Sequence, residues 1–198
     1  MINENSAKEE VLEAVKENGY ALKFASEELR ADKEVVLTAV RQNGYALRYA
    51  SEELRGDRDF ILDVVSQGWG ALQYASEDLR GDRDVVLAAV KQNGLALWHA
   101  SEELKRDKEV VMAAVRKHGE ALEDASAALR SDKDVVMEAV KQSGLALYYA
   151  SDELINDRDI VIAAVRQNWL ALCHASDELL EEMAECWLES MGQLTKDD

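Results

Sequence analysis

The chain contains no proline in its 198 residues and only two cysteines. Proline breaks helix interiors and stiffens linkers, so its absence favours an all-helical protein without a rigid interdomain linker. Two cysteines, Cys173 and Cys186, are too few for a disulfide framework, which indicates a reducing, cytosol-like compartment. Since no stretch is rich in Gly, Ser and Pro, we predict one domain over residues 1–198.

Long apolar runs and clusters of basic residues are missing as well. The longest uninterrupted apolar run is six residues, as in 85–90, so we expect no membrane insertion. Residues 1–6 lack the basic and apolar regions of a cleavable signal peptide. We therefore expect a cytoplasmic protein, or one exported without such a peptide. The formal net charge of −17, with no basic stripe, argues against direct nucleic-acid binding.

A 25-residue repeat occupies most of the chain. An Asp followed by Lys or Arg, an acid and an apolar run recurs at that spacing from Asp32 to Asp157. Later in each unit, an Ala, a Leu, an Ala-Ser pair and a closing Leu recur in every copy. Such a period is typical of repeat architectures. The seven copies begin near positions 7, 32, 57, 82, 107, 132 and 157.

Each copy has the pattern of two helices. In repeat two, Asp32 is a good N-cap, and the apolar residues within 35–40 cover an arc of roughly 200°, which predicts burial on two sides. Asn43-Gly44 predicts a helix stop with a left-handed residue. A short second helix covers 45–50, and a Ser-capped turn follows it. Trp69 and Trp169 replace the glycine in repeats three and seven, where we expect the helix end to shift by one residue.

These units predict an all-α fold, an α-solenoid of about seven two-helix repeats. One unit cannot bury its own apolar faces, but stacked units bury them against each other. At the C-terminus, apolar residues at helical spacing predict a capping helix over 180–193.

The segment Asp-Arg-Asp-Val-Val-Leu-Ala-Ala-Val-Lys-Gln-Asn-Gly-Leu-Ala-Leu-Trp-His-Ala-Ser-Glu-Glu-Leu (82–104) resembles the repeat of domain-of-unknown-function family 4116. The resemblance extends from about residue 7 to residue 181. It implies a helical repeat array and supplies no catalytic residues to transfer. Members of that family include secreted bacterial effectors, which implies a second functional class for this chain.

Three positions of the short helix vary from copy to copy, on the face opposite its constant Ala and Leu residues. We call them the first, second and third variable slots; in repeat two they hold Tyr45, Arg48 and Tyr49. The third slot is aromatic or His in six of seven copies, which favours packing between repeats. Varied positions along a solenoid are typical partner-reading positions, and aromatics there are candidate anchors. We predict partner binding by Tyr20, Tyr45, Arg48, Trp98, Glu120, Glu123, Asp124 and Tyr148.

Patterns that carry catalysis or metal binding are weak. The Ser of every copy is predicted to cap a turn, and His118 lies near a helix end, where a capping role is favoured over catalysis. Cys173, His174 and Cys186 have no zinc-ligand spacing. We therefore predict no catalytic residues, no metal site, no cofactor and no enzymatic activity.

Two alternatives remain for the acidic excess and two for the function. The acids fit helix caps and solubility, and they also fit a surface for a basic partner. Our first hypothesis is a protein-binding scaffold whose partner is another protein, with a basic surface as one alternative. The second is a secreted bacterial effector, or an assembly or linker component, built on the same scaffold, with a glutamate-rich export signal in residues 181–198.

Overall fold

The computed structural model describes residues 2–67, 69–175 and 179–181, with Trp69 described by its backbone alone. The described chain is all-α, without strands, and follows the predicted 25-residue period. Each repeat opens with a long helix. The seven long helices span Lys8–Glu17, Lys33–Gln42, Arg58–Val65, Arg83–Gln92, Lys108–Lys117, Lys133–Gln142 and Arg158–Gln167.

The predicted second helix of each repeat is a six-residue 3-10 helix. These helices span Gly19–Phe24, Gly44–Tyr49, Trp69–Tyr74, Gly94–His99, Gly119–Asp124, Gly144–Tyr149 and Trp169–His174. A closing turn follows in repeats one to six. It is α-helical at Glu27–Arg30, Glu52–Gly56, Glu77–Arg80 and Ala127–Arg130, and 3-10 at Leu104–Arg106 and Leu154–Asn156.

Side-chain caps start these elements where the sequence predicts them. Asp32 accepts hydrogen bonds from the backbone N–H groups of Glu34 and Val35, at 3.0 and 3.1 Å. The hydroxyl of Ser51 accepts one from Leu54 N–H at 3.3 Å, as predicted for the closing turn. The Oγ atoms of Ser126 and Ser151, in contrast, are buried without a partner.

The core is a continuous layer between the repeats. In repeat two, Val35, Val36 and Ala39 are fully buried, and Leu47 of the 3-10 helix meets the same core. Burial on two sides of the long helix confirms the sandwiched arrangement that its wide apolar arc predicts.

Two polar ladders join each repeat to the next. The N–H of Ser51 donates to the carbonyl of Arg30 at 2.9 Å, and the same bond recurs at the equivalent residues through Ser151. At the start of the long helices, the cation of one repeat reaches the N-cap Asp of the next, as in Arg83–Asp107 at 2.8 Å. This bond lowers the pKa of the Asp107 carboxyl, with help from the capped N–H groups. Much of the charge is therefore structural.

The glycine that begins five of the seven 3-10 helices is not left-handed, so that prediction is wrong. No described residue has a positive φ, and Asn43 ends its helix with extended backbone instead. In four of these five repeats the glycine is required by close approach, the exception being Gly44. A Cβ on Gly119 would lie under 3.0 Å from the carbonyl oxygen of Ala139 in the next repeat, and Gly94 meets Ala114 in the same way.

The expected one-residue shift at the tryptophans is also wrong. In repeat seven the long helix ends at Gln167, as in the regular copies, and Asn168 caps the next element. In repeat three it ends at Val65, two positions before the equivalent Gln67. There, the Ser66 hydroxyl donates to the Asp63 carbonyl at 2.6 Å, which competes with continued helix.

The C-terminal cap predicted over 180–193 lies almost wholly outside the described residues. Residues 179–181 are helical. The export signal suggested for 181–198 falls in the same undescribed part.

Candidate binding surface

The second variable slot forms an exposed row along the array. It is exposed in six repeats and half-buried in the other, where it is Gln73. The 3-10 geometry accounts for this, because the constant Ala and Leu residues of each short helix point into the core. We call this row the reading row; it consists of Lys23, Arg48, Gln73, Trp98, Glu123, Tyr148 and Cys173.

Two large aromatic side chains stand out on the reading row. Trp98 is 63% exposed and Tyr148 is 64% exposed. The ammonium of Lys105 lies 5.9 Å from the centre of the Trp98 ring, and Tyr148 packs edge-on against His174 of the next repeat. Each ring thus has a neighbour on the array and still leaves most of its surface open to a partner.

Tyr20 and Tyr45, both predicted partner residues in the first slot, contact the next repeat. Tyr20 packs edge-on against Tyr49 at 6.3 Å, and Tyr45 packs against Tyr74 at 6.1 Å. The Tyr45 ring also covers the position where Gly70 would carry a Cβ. Each ring keeps slightly more than a third of its surface exposed. These two residues therefore join repeats and line the surface at once.

The acidic residues predicted for repeat five lie together but differ in exposure. Glu123 is exposed, whereas Glu120 and Asp124 are half-buried. Glu120 accepts a hydrogen bond from the Ser143 hydroxyl at 2.5 Å. Burial raises the pKa of Asp124 to about 6; Lys105 opposes this rise, and Glu123 and Glu102 add to it. We call Glu120, Glu123 and Asp124 the acidic patch; it lies between the repeats that carry Trp98 and Tyr148.

The third slot packs between repeats, as its aromatic bias predicts. It is half-buried in repeats two to seven and exposed only at Phe24 in repeat one. Tyr49 and Tyr74 receive the rings of the preceding repeat. Burial raises the pKa of the Tyr149 hydroxyl, to which the neighbouring Glu123 also contributes.

Residues with possible metal or catalytic chemistry are placed apart. Nδ1 of His118 accepts a hydrogen bond from Gly94 N–H at 3.1 Å, so this side chain caps the 3-10 helix of the preceding repeat. Cys173 is a free, exposed thiol, and Cys186 lies outside the described residues. Among the described residues, no three His, Cys, Asp or Glu side chains converge on a possible metal site.

Sequence reasoning missed one cluster on this face. Arg30 and Arg55, from the closing turns, lie with Arg48 around an open pocket between repeats one and two. A basic residue follows the closing Leu in most repeats, and this slot was the available signal.

The fold and the reading row define a class, a helical repeat array with a varied surface on constant joints. The profile of a domain of unknown function (DUF4116) matches residues 8–55, 57–105, 82–130, 107–155 and 132–180. The chain belongs to this family. No curated protein and no solved structure matches it.

No helix in the described part of the chain combines the length and the apolar character that crossing a bilayer requires.

Proposed function

We propose that this protein is a non-catalytic scaffold that binds another protein along the reading row and the acidic patch. One observation carries the proposal. Trp98 and Tyr148 are exposed on repeats four and six, on either side of the acidic patch in repeat five. Large aromatics that remain exposed at fixed positions are frequent energetic anchors of protein interfaces.

The joints support this role because they fix the spacing of the anchors. Ser126 and Ser151 donate their N–H groups to the preceding repeats at 3.0 and 2.9 Å, so repeats four, five and six are tied by backbone bonds. A preorganised surface loses little conformational entropy on binding. At about 9 Å per repeat, the two aromatics lie roughly 18 Å apart.

The charge between the anchors specifies the partner. An exposed Glu123 beside the half-buried carboxyl of Asp124 favours a cationic side chain. The fitting partner is a segment with Lys or Arg between two apolar or aromatic residues.

Selection from a displayed library of random peptides tests this. We expect basic, apolar-flanked sequences to be enriched on the wild type. The Kd of the selected peptides, measured by fluorescence anisotropy, should rise roughly thirtyfold for each of Trp98→Ala and Tyr148→Ala. Glu123→Gln should weaken binding less and reduce its salt dependence.

The matched controls are Lys91→Ala and Lys141→Ala, which remove exposed side chains from the long helices of repeats four and six. They should leave the Kd unchanged. Selection of acidic peptides, or equal affinity in the aromatic variants, would contradict the proposal.

A further inference from the structure

An open pocket of about 480 Å³ lies in the groove between repeats one and two. Three arginines line it. Arg30 comes from the closing turn of repeat one, Arg48 from the reading row of repeat two, and Arg55 from the closing turn of repeat two. The carbonyl of Arg30 accepts the N–H of Ser51 across the joint, so backbone bonding fixes the two sides of the groove.

The donors of these arginines are unused by the protein. The Nε atoms of Arg30 and Arg55 are buried and have no hydrogen-bond partner. Among the described residues, none of the three guanidinium groups donates a hydrogen bond. Arg48 lies over the Tyr49 ring, with 5.3 Å between its guanidinium carbon and the ring centre. Each guanidinium carries five N–H donors; the buried Nε groups of Arg30 and Arg55 are closed to a ligand, so the donors left for one are their terminal N–H groups and those of Arg48.

Two glutamates face these donors without satisfying them. Glu27 and Glu52 lie 3.9 and 3.8 Å from the nearest nitrogens of Arg30 and Arg55, beyond hydrogen-bond distance. Their side chains are 95% and 96% exposed. Such exposed pairs contribute little, so a stronger acceptor displaces them readily.

We infer that this pocket binds a phosphate group. Guanidinium groups from several directions suit the oxygens of a tetrahedral oxyanion, which accept several charge-assisted hydrogen bonds at once. The protein's net charge of −17 repels anions in general, so an anion bound here is held by local contacts. The site shares Arg48 with the reading row but lies in repeats one and two, whereas Trp98, Tyr148 and the acidic patch lie in repeats four to six, so the two proposals can be tested apart.

The next joint provides an internal comparison. There, Arg55 and Arg80 repeat the roles of Arg30 and Arg55, and Ser76 N–H binds the Arg55 carbonyl at 2.8 Å. The reading-row residue is Gln73 in place of an arginine. The variant Arg48→Gln therefore gives the first groove the side chain that the second groove already has.

NMR titration with inorganic phosphate, against sodium chloride at equal ionic strength, tests the inference. We expect saturable shifts of the amide signals around Tyr49 and Ser51, and at least tenfold weaker binding in Arg48→Gln. Gln73→Arg should add a second set of saturable shifts near Ser76. Acetate should bind more weakly than phosphate, because a carboxylate has fewer acceptor oxygens.

Arg130→Gln is the matched control, since the Nε of Arg130 is also buried and unpartnered but lies in repeat five, away from the pocket. It should leave phosphate binding unchanged, as should Trp98→Ala, which separates this site from the proposed protein-binding surface. Absence of saturable shifts beyond chloride, full binding by Arg48→Gln, or acetate binding as tightly as phosphate would overturn the inference.

Discussion

The long helices of repeats five and six pack closely against each other, whereas those of repeats two and three make far fewer close contacts. In the closed joint, Gly119 packs against the Ala139 carbonyl and donates its N–H to the Gln142 side chain. In the open joint, the one atom of the described residues that a Cβ on Gly44 would meet is Ala71 N, at 3.8 Å. The equivalent glutamine, Gln67, accepts instead from Arg41.

We attribute the difference to one substitution. The slot that Ala139 occupies holds Ala in every repeat except the third, where it is the buried, β-branched Val64. Its side chain is larger by two carbon atoms, and we expect it to keep the glycine from approaching. The polar ladders persist across this joint. The Lys33 ammonium pairs with the Asp57 carboxylate at 2.5 Å, and the Ser76 N–H donates to the Arg55 carbonyl at 2.8 Å. The polar ladders therefore form whether or not the long helices of the two repeats pack closely.

The largest expected effect is the difference in stability between two Gly→Ala variants, one at the closed joint and one at the open joint. Gly119→Ala forces a Cβ against a backbone carbonyl that cannot rotate away, so we expect a loss of about 3 kcal/mol in the free energy of unfolding. Gly44→Ala meets ordinary van der Waals contact and should change stability by less than about 1 kcal/mol. Urea unfolding measures both, and equal costs would refute the distinction between the joints.

The second effect concerns Val64 itself. Truncating a fully buried valine in a regular repeat, as in Val85→Ala, should cost about 2 kcal/mol. Val64→Ala should cost less, because the open joint closes when the two methyl groups are removed. Slower hydrogen exchange at the Gly44 amide in this variant would show the closure. An equal cost with unchanged exchange would place the cause of the opening elsewhere.

The third effect tests whether the ladders are alike at open and closed joints. Asp57→Ala and Asp107→Ala should each cost about 1 kcal/mol through loss of the N-cap. The matching Asn variants should recover most of it, since Asn also caps. The pKa of each carboxyl is lowered, so its contribution is present above the unfolded pKa and is lost as pH falls through the folded pKa. If Asp57→Ala and Asp107→Ala lost unequal amounts of stability, the strength of the ladder would depend on how closely the joint is packed.

The smallest effect is electrostatic and concerns Asp124 in repeat five, beside the closed joint. The folded pKa of Asp124, about 6, is above the unfolded value, so the folded state holds the extra proton and loses stability as pH rises through this range. At neutral pH, Asp124→Asn should therefore be more stable, by about 1 kcal/mol after allowance for its partial exposure.

Thermal unfolding across pH checks this last effect. The gain of Asp124→Asn should vanish below about pH 4, where the carboxyl is protonated in both states. Glu123→Gln removes the same charge from an exposed neighbour and should change stability less. A gain that persists in acid would mean that packing, not charge, is responsible.

The sequence was sufficient for the architecture because period, caps and apolar arcs are local patterns repeated seven times. It predicted Asp32 as a cap and the third slot as packing, and both are confirmed. It misassigned the glycines, because a glycine required for close approach and one required for a left-handed turn look identical in a sequence. The packing of Tyr45 over Gly70 depends on a contact with the next repeat, which no local pattern in the sequence describes. The partner-binding role of the reading row stays a prediction.

The bonds from Ser N–H groups to the Arg or Lys carbonyls of the preceding repeat have a consequence for how this chain tolerates change in length. Because the same two slots form the bond at five successive joints, removing or duplicating a whole 25-residue unit rejoins equivalent atoms. Such a change alters the order of the variable side chains on the surface. The array can therefore be lengthened or shortened by whole repeats, and each repeat that is added or removed changes one set of variable surface residues.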